Sequence, residues 1–278
     1  MADTGISFSK RYGAWALVAG GSDGLGAALA DGLAGRGMNC LLVARRAGPL
    51  EETAAAIRAK YPVEVRVLSL DLAEADAAAA LERAVAGIDL GMVVFNAGAE
   101  ASGAKFIDAP YADWTSVIQR NIGFMTDALY RFARKFAAQR RGALLIVGSE
   151  ASLGGGSRGA MYTATKGFAL NLGESLWAEL EPLGVDVLTL IFRIADTPML
   201  RSVLARKGIP VEAVGAVPVA DLAEATIAAL GQGPVFNFDE TPADAGQMTS
   251  AAVRRARARG VSDALEGFYA PAADEVPA

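Results

Sequence analysis

The chain has no histidine and only one cysteine among its 278 residues. Without histidine, Ser-His-Asp and Cys-His nucleophilic mechanisms are excluded. Cys40 lies inside an apolar run, the setting of a small core residue rather than of a reactive thiolate. The two shortages together remove a zinc site of the usual Cys/His kind. Any hydride chemistry must then run without a metal or with a carboxylate-bound ion. Long apolar stretches are missing as well. None approaches the ~18 residues of a membrane span, and the polar start MADTGISFSKRY lacks a signal-peptide core. The chain therefore reads as cytoplasmic. Excess positive charge is also lacking: a net charge of −5 gives no reason to expect nucleic acid or an anionic membrane as partner.

What is present reads as globular. A chain of this length with 53% hydrophobic and 21% charged residues is long enough for one large, well-buried α/β domain. Apolar runs at residues 14–20, 39–44, 63–70, 92–96, 143–149, 185–192 and 235–238 read as strands. Helical patterns separate them, at residues 24 onward, up to 60, 73–86, 111–139, 162–181 and 221–230. Strict alternation of strand and helix predicts a Rossmann-like, doubly wound parallel sheet flanked by helices. No linker or internal repeat divides the chain, so residues 1–278 read as a single domain with its core at about 12–240. Residues 196–218 are the least regular part and read as a flap. The tail, 241–278, reads as helical at first, then polar and proline-spaced. Its Arg254, Arg255, Arg257 and Arg259 lack interleaved aromatics, so they read as a solvated helix face rather than a nucleic-acid surface.

Ligands of such sheets sit at the carboxyl ends of the strands, where this chain places Gly20, Ala44, Asp71, Asn96, Ser149 and Phe192. After the first strand comes Gly20-Gly21-Ser22-Asp23-Gly24-Leu25-Gly26. Glycines at that point let the backbone turn tightly and approach a pyrophosphate at the positive end of the next helix. The second strand ends in Ala44-Arg45-Arg46. An NAD-binding chain normally offers a carboxylate there to the ribose 2′-hydroxyl. Here the carboxylate is lacking and two guanidiniums are positioned to pair with a 2′-phosphate, which favours NADP(H) over NAD(H).

A second constellation starts at Ser149 and ends at Tyr162-x-x-x-Lys166. Tyr162 and Lys166, four apart, share one face of a helix. The glycine-rich segment before them lets Ser149 fold back beside the phenol. A phenol near pKa ~10 is a poor acid or base at neutral pH, and a neighbouring ammonium is expected to lower that value. A serine hydroxyl then holds a substrate oxygen while tyrosine passes the proton. This is equipment for interconverting a carbonyl and an alcohol.

The ordered set Gly20-x-x-x-Gly24-x-Gly26, Asp71-Leu72, Asn96-Ala97-Gly98, Asn121, Ser149 and Tyr162-x-x-x-Lys166 resembles the short-chain dehydrogenase/reductase family over residues ~12 to ~240. The resemblance implies Ser149, Tyr162, Lys166 and Asn121 as the catalytic set. Asn121 would hold a water linking Lys166 to solvent, and Lys166 would also hold the nicotinamide ribose. It implies that Ser22, Asp23 and Leu25 line the phosphate turn and that Asp71 and Leu72 meet the adenine. Asn96, Ala97 and Gly98 would pack beside the adenosine ribose. Ala195 and Thr197 would hold the nicotinamide carboxamide. It further implies a homodimer or homotetramer built through the helices carrying Asn121 and Tyr162. The chain departs from the family pattern at Ala19, at Phe95, and at Phe192-Arg193, where Pro-Gly is usual. Arg193 stands near the diphosphate or nicotinamide, or points to solvent.

Residues expected around the substrate are apolar: Leu153, Met161, Phe192, Met199, Val203 and Leu204, with Ser149 and Tyr162 at the reacting oxygen. Such a pocket suits a hydrophobic ketone, aldehyde or secondary alcohol. Two alternatives stand beside this expectation. One is a reductase of 3-oxoacyl groups on an acidic carrier protein docked by Arg201, Arg206 and Lys207. The other is an NADP(H)-binding sensor or scaffold without catalysis.

Overall fold

The computed structural model describes residues 8–98 and 103–269. A short α1 (Phe8–Arg11) precedes β1 (Trp15–Ala19). The chain then alternates α2 (Gly24–Ala34), β2 (Asn39–Ala44), α3 (Ala47–Lys60), β3 (Val65–Ser69), α4 (Ala77–Ala84) and β4 (Leu90–Phe95). α5 (Tyr111–Ile118) and α6 (Phe124–Gln139) lead to β5 (Gly142–Val147), and α7 (Ala160–Leu180) leads to β6 (Val185–Ile191). Beyond these come β7 (Ala195–Asp196), α8 (Pro198–Ala205), β8 (Val217–Pro218), α9 (Val219–Ala228), β9 (Val235–Asn237) and α10 (Ala251–Tyr269).

Seven strands form one parallel sheet in the order β3-β2-β1-β4-β5-β6-β9. Both faces of this Rossmann-like sheet are covered, which is why strands such as Ala143-Leu144-Leu145-Ile146 are apolar without alternation. Successive residues of β1 serve opposite sides. Ala16 and Val18 pack with Leu29, Leu33, Leu50 and Ile57 of α2 and α3 and with Leu222 of α9. Trp15 and Leu17 pack on the other side with Leu81, Leu129, Phe132 and Phe136 of α4 and α6. Full burial of each such aliphatic side chain contributes about 2 kcal/mol. Cys40 is buried in the first of these layers, and burial pushes its thiol up to about 12, as befits an inert core residue.

The strand order reverses between β1 and β4. Chain leaving β1 turns to one side of the sheet and chain leaving β4 to the other, which opens a crevice at their carboxyl ends. Gly20 and Asn96 stand on its two lips, where Asn96 Nδ2 donates to Gly20 O at 2.9 Å.

Three segments differ from the sequence reading. The helix expected over 111–139 is interrupted by a π-turn at Gln119–Gly123. The segment expected to be an irregular flap holds α8 and a small β7-β8 ladder. α8 starts at Pro198, preceded by Thr197, whose hydroxyl caps the helix by accepting from Leu200 N. In the tail, the helix α10 does not start at once: a short 3-10 turn at Pro242–Asp244 precedes it, while the proline-spaced end, residues 270–278, lies outside the described residues.

The four tail arginines do not form one solvated face: Arg257 is exposed as expected, but the other three are engaged. Arg254 is buried and makes a paired contact with Glu174 of α7, at 2.5 Å and 3.0 Å. Arg255 donates to Gly233 O at 2.6 Å, and Arg259 pairs with Glu181 and stacks over Trp177. The guanidiniums thus join α10 to α7 and to the loop before β9. Spacing alone did not show this, because a partner 80 residues earlier in the chain is invisible to local periodicity. Among the described residues no helix is long and apolar enough to cross a membrane.

Candidate active site

The glycine turn after β1 has no room for side chains. Gly20 has a φ of +89°, in the left-handed region that favours glycine. A Cβ on Gly26 would fall 2.0 Å from Gly20 O and 2.6 Å from Asn96 Nδ2. The N–H groups of Gly20 and Gly21 are tied to Val43 O of β2, so the turn lies close against the start of α2, whose first-turn N–H groups have no intrahelical partner and make a cradle suited to a phosphate.

To one side of this turn lies a pocket lined by Gly20, Ser22, Asp23, Ala44, Arg45, Arg46, Asp71, Leu72, Ala97 and Gly98. Every residue assigned to the adenosine end by the sequence, Asn96 apart, is therefore gathered here. Asn96 instead ties the turn shut. Arg120 also lines the pocket. It escaped the sequence reading, although its place next to Asn121 was the available signal. Asp71 Oδ1 accepts from Ala73 N at 3.0 Å, which fixes the carboxylate at the end of β3.

To the other side opens an apolar cleft of about 390 Å³. It is lined by Gly24, Leu25, Tyr162, Lys166, Phe192, Arg193, Ala195, Thr197 and Met199, and also by Ile194, Leu200 and Val203. Ala195 and Thr197 line this cleft despite the missing Pro-Gly, with the Thr197 methyl 3.2 Å from where a Gly24 Cβ would stand. Arg193 is pinned at the rim: its N–H donates to Asp239 Oδ2 at 2.8 Å and its guanidinium lies 3.5 Å from Oδ1. Not all expected substrate residues reach the cleft. Leu153 is half-buried, packs against Leu170, Ile191 and Val235, and is not part of the cleft lining. Leu204 is buried, and Met161 is absent from the lining. Arg201, suggested for carrier docking, is held by Asp196 through two contacts of 2.6 Å.

Next to Gly148 of the cleft lining, Ser149 follows β5 and caps the following 3-10 turn, its Oγ accepting from Ala151 N at 3.2 Å. Its hydroxyl also stands beside the Tyr162 phenol. Burial raises the phenol's pKa, and the nearby Ser149 hydroxyl opposes that rise by favouring the phenolate. Lys166 is one turn along α7, with Nζ donating to Val147 O at 2.8 Å and lying 5.8 Å from the Tyr162 ring centre. Burial pulls its pKa down to about 8. The expectation that the ammonium depresses the phenol pKa is thus corrected in this geometry. Lys166 spends a donor on the Val147 carbonyl, and desolvation dominates both groups.

Asn121 occupies the π-turn, a device that re-aims one side chain within an otherwise regular helix. Its Nδ2 donates to Gly98 O at 3.1 Å and to Thr165 Oγ1 at 3.2 Å. Its buried Oδ1 has no protein partner. A small cavity with room for about one water molecule lies against Asn121, Lys166 and Val147. The cradle, the apolar cleft and the buried lysine beside it fit a nicotinamide dinucleotide, which the start of α2, Thr197 and Lys166 would help to hold.

A profile of the short chain dehydrogenase family matches residues 14–208. The chain belongs to that family. As a short-chain dehydrogenase it is an oxidoreductase that works with a nicotinamide cofactor. It is 32% identical to a 7beta-hydroxysteroid dehydrogenase of Collinsella aerofaciens over 71% of this chain and 74% of that one. It is 29% identical to a very-long-chain 3-oxoacyl-CoA reductase-like protein of Arabidopsis thaliana over 70% of this chain and 64% of that protein. Among solved structures, a short-chain dehydrogenase from Sphingobium yanoikuyae in complex with NADPH superposes with a TM-score of 0.74 at 25% identity, covering 95% of this chain and 98% of that one.

Proposed function

We propose that this short-chain dehydrogenase is an NADP(H)-dependent enzyme that interconverts a bulky hydrophobic ketone and its secondary alcohol. The observation that carries this reading is the pair Tyr162 and Lys166, one helical turn apart on the wall of an apolar cleft, with the Ser149 hydroxyl beside the phenol. A nicotinamide cofactor supplies or accepts the hydride. Ser149 holds the substrate oxygen, and Tyr162 gives its proton to that oxygen during reduction or takes it during oxidation. Lys166 and Asn121, joined across the small cavity, connect the phenol to a proton path. Arg45 and Arg46 pair with the 2′-phosphate, and Ala195 and Thr197 orient the carboxamide.

Phe192, Ile194, Met199, Leu200 and Val203 suit a large, rigid apolar skeleton. Similarity to a hydroxysteroid dehydrogenase supports a sterol-like ring system as the substrate class. Reduction of 3-oxoacyl thioesters is the second reading, favoured by the similarity to a 3-oxoacyl-CoA reductase-like protein. The commitment of Arg201 to Asp196 weakens the carrier-docking form of it. We further propose one catalytic domain, acting as a homodimer or homotetramer. The test is consumption of NADPH and NADH, side by side, over ring ketones, simple aryl ketones and 3-oxoacyl thioesters, with Tyr162→Phe as control. Turnover of ring ketones with NADPH, lost in the variant, supports the proposal. Turnover restricted to thioesters overturns the substrate class.

A further inference from the structure

The adenosine pocket holds a charge arrangement that its two arginines alone do not explain. Asp23 precedes α2 at the N-cap, where an aspartate normally accepts a hydrogen bond from the first turn. Here the side chain makes no capping bond. Its carboxylate is turned outward and accepts from Arg46 Nη2 at 3.1 Å. Both groups are exposed and both line the pocket, beside Ser22 and Arg45. Arg45 is held more loosely, 3.9 Å from an Asp71 carboxylate that the Ala73 N–H already anchors.

A 2′-phosphate is a dianion near neutral pH and needs guanidinium donors that no other anion has taken. Arg45 comes nearer to that need, its ion pair with Asp71 spanning 3.9 Å. Arg46 offers its donors only in competition with Asp23, whose own negative charge faces the incoming phosphate. A 2′-hydroxyl carries no charge and meets neither obstacle. We propose that Asp23 is a specificity-determining residue that holds down the preference for NADP(H) over NAD(H) by engaging Arg46. This rests on the NADP(H) reading given above. The chain then binds both cofactors, with a preference well below the one two unopposed arginines would produce.

The test is calorimetric titration of ligand-free protein with NADPH and with NADH. The proteins are wild type, Asp23→Asn, Asp23→Ala, Arg45→Ala, Arg46→Ala and the Asp23→Asn/Arg46→Ala double variant, each checked for an unchanged melting transition. Asparagine is itself a good cap, so agreement with the alanine variant separates charge from capping. Either Asp23 variant is expected to tighten NADPH about three- to tenfold, the size of one solvent-screened unit charge a few ångströms from a phosphate. NADH is expected to change by less than about twofold. In the Arg46→Ala background the shift in the NADPH-to-NADH ratio is expected to shrink by more than half, because the two residues act as a pair. A ratio that stays constant or falls in both Asp23 variants, while Arg46→Ala still weakens NADPH, overturns the proposal and leaves the cofactor reading standing. If Arg45→Ala and Arg46→Ala both leave NADPH binding unchanged, the cofactor reading fails and the proposal fails with it.

Discussion

Arg254→Ala is expected to destabilise the protein far more than loss of a surface arginine. The guanidinium is buried, grips both oxygens of Glu174 and donates a third time to Met248 O at 3.1 Å. Removing one member of a buried pair leaves the other desolvated and unpaired, at a cost of about 3–5 kcal/mol. With an unfolding entropy of about 2.1 cal/mol/K per residue, a chain of this size loses about 0.6 kcal/mol per kelvin near its melting point. The melting temperature is therefore expected to fall by about 5–9 °C, read by calorimetry or circular dichroism. The deficit carries a pH signature. Burial already raises the Glu174 pKa, and Arg254 is the main influence pulling it down. Without Arg254, the folded state holds a Glu174 proton that the unfolded chain releases, so stability falls as pH rises through the folded pKa. The deficit should thus be larger at pH 7 than at pH 5. Glu174→Met/Arg254→Met, which removes both charges and keeps apolar bulk, should recover most of the loss. A single variant melting within a degree or two of wild type would refute this reasoning. So would a double variant no better than the single one.

Three further outcomes are expected. Tyr162→Phe should lower kcat by about 10²–10⁴-fold with cofactor affinity retained, as seen in steady-state rates and NADPH titration. Lys166→Met should stabilise the ligand-free protein most below about pH 8, where the wild type holds a buried ammonium. That gain should fade as pH climbs toward the ordinary lysine range, because folded Lys166 loses its proton first and the wild type is relieved of the burial cost; paired urea melts at pH 7 and pH 10 test it. Gly26→Ala should abolish cofactor binding and cost about 2 kcal/mol or more, since its Cβ would overlap Gly20 O; a titration and a melting curve check both parts.

Much of this architecture was legible in the chain because parallel strands buried on both faces are short apolar runs, and because Gly20, Asn96 and Ser149 stand where those runs stop. Ser149 at its strand end and Tyr162 and Lys166 on one helical face were legible from spacing, while Asn121, which lies by Thr165 and Lys166, was expected only from the family resemblance. What stayed hidden depends on contacts between distant segments. Leu153 is apolar whether it faces substrate or core, and only its packing on Ile191 assigns it. The tail arginines needed Glu174 and Glu181 to be seen as struts. Arg193 needed Asp239, 46 residues later. The direction of the Lys166 donor, toward Val147 O, was equally out of reach, since spacing places a side chain on a face but does not choose its acceptor.

The π-turn at Gln119–Gly123 makes perfect regularity a hazard for this protein. One surplus residue there shifts the helical phase by roughly 100°, so that Trp114 and Phe132 both reach the interior while Asn121 is turned toward Gly98. Deleting a residue to restore uninterrupted winding would give a better helix in isolation and rotate one flank out of alignment with the other. Selection for thermal robustness that rewards local helicity would therefore work against the very side chain this irregularity presents.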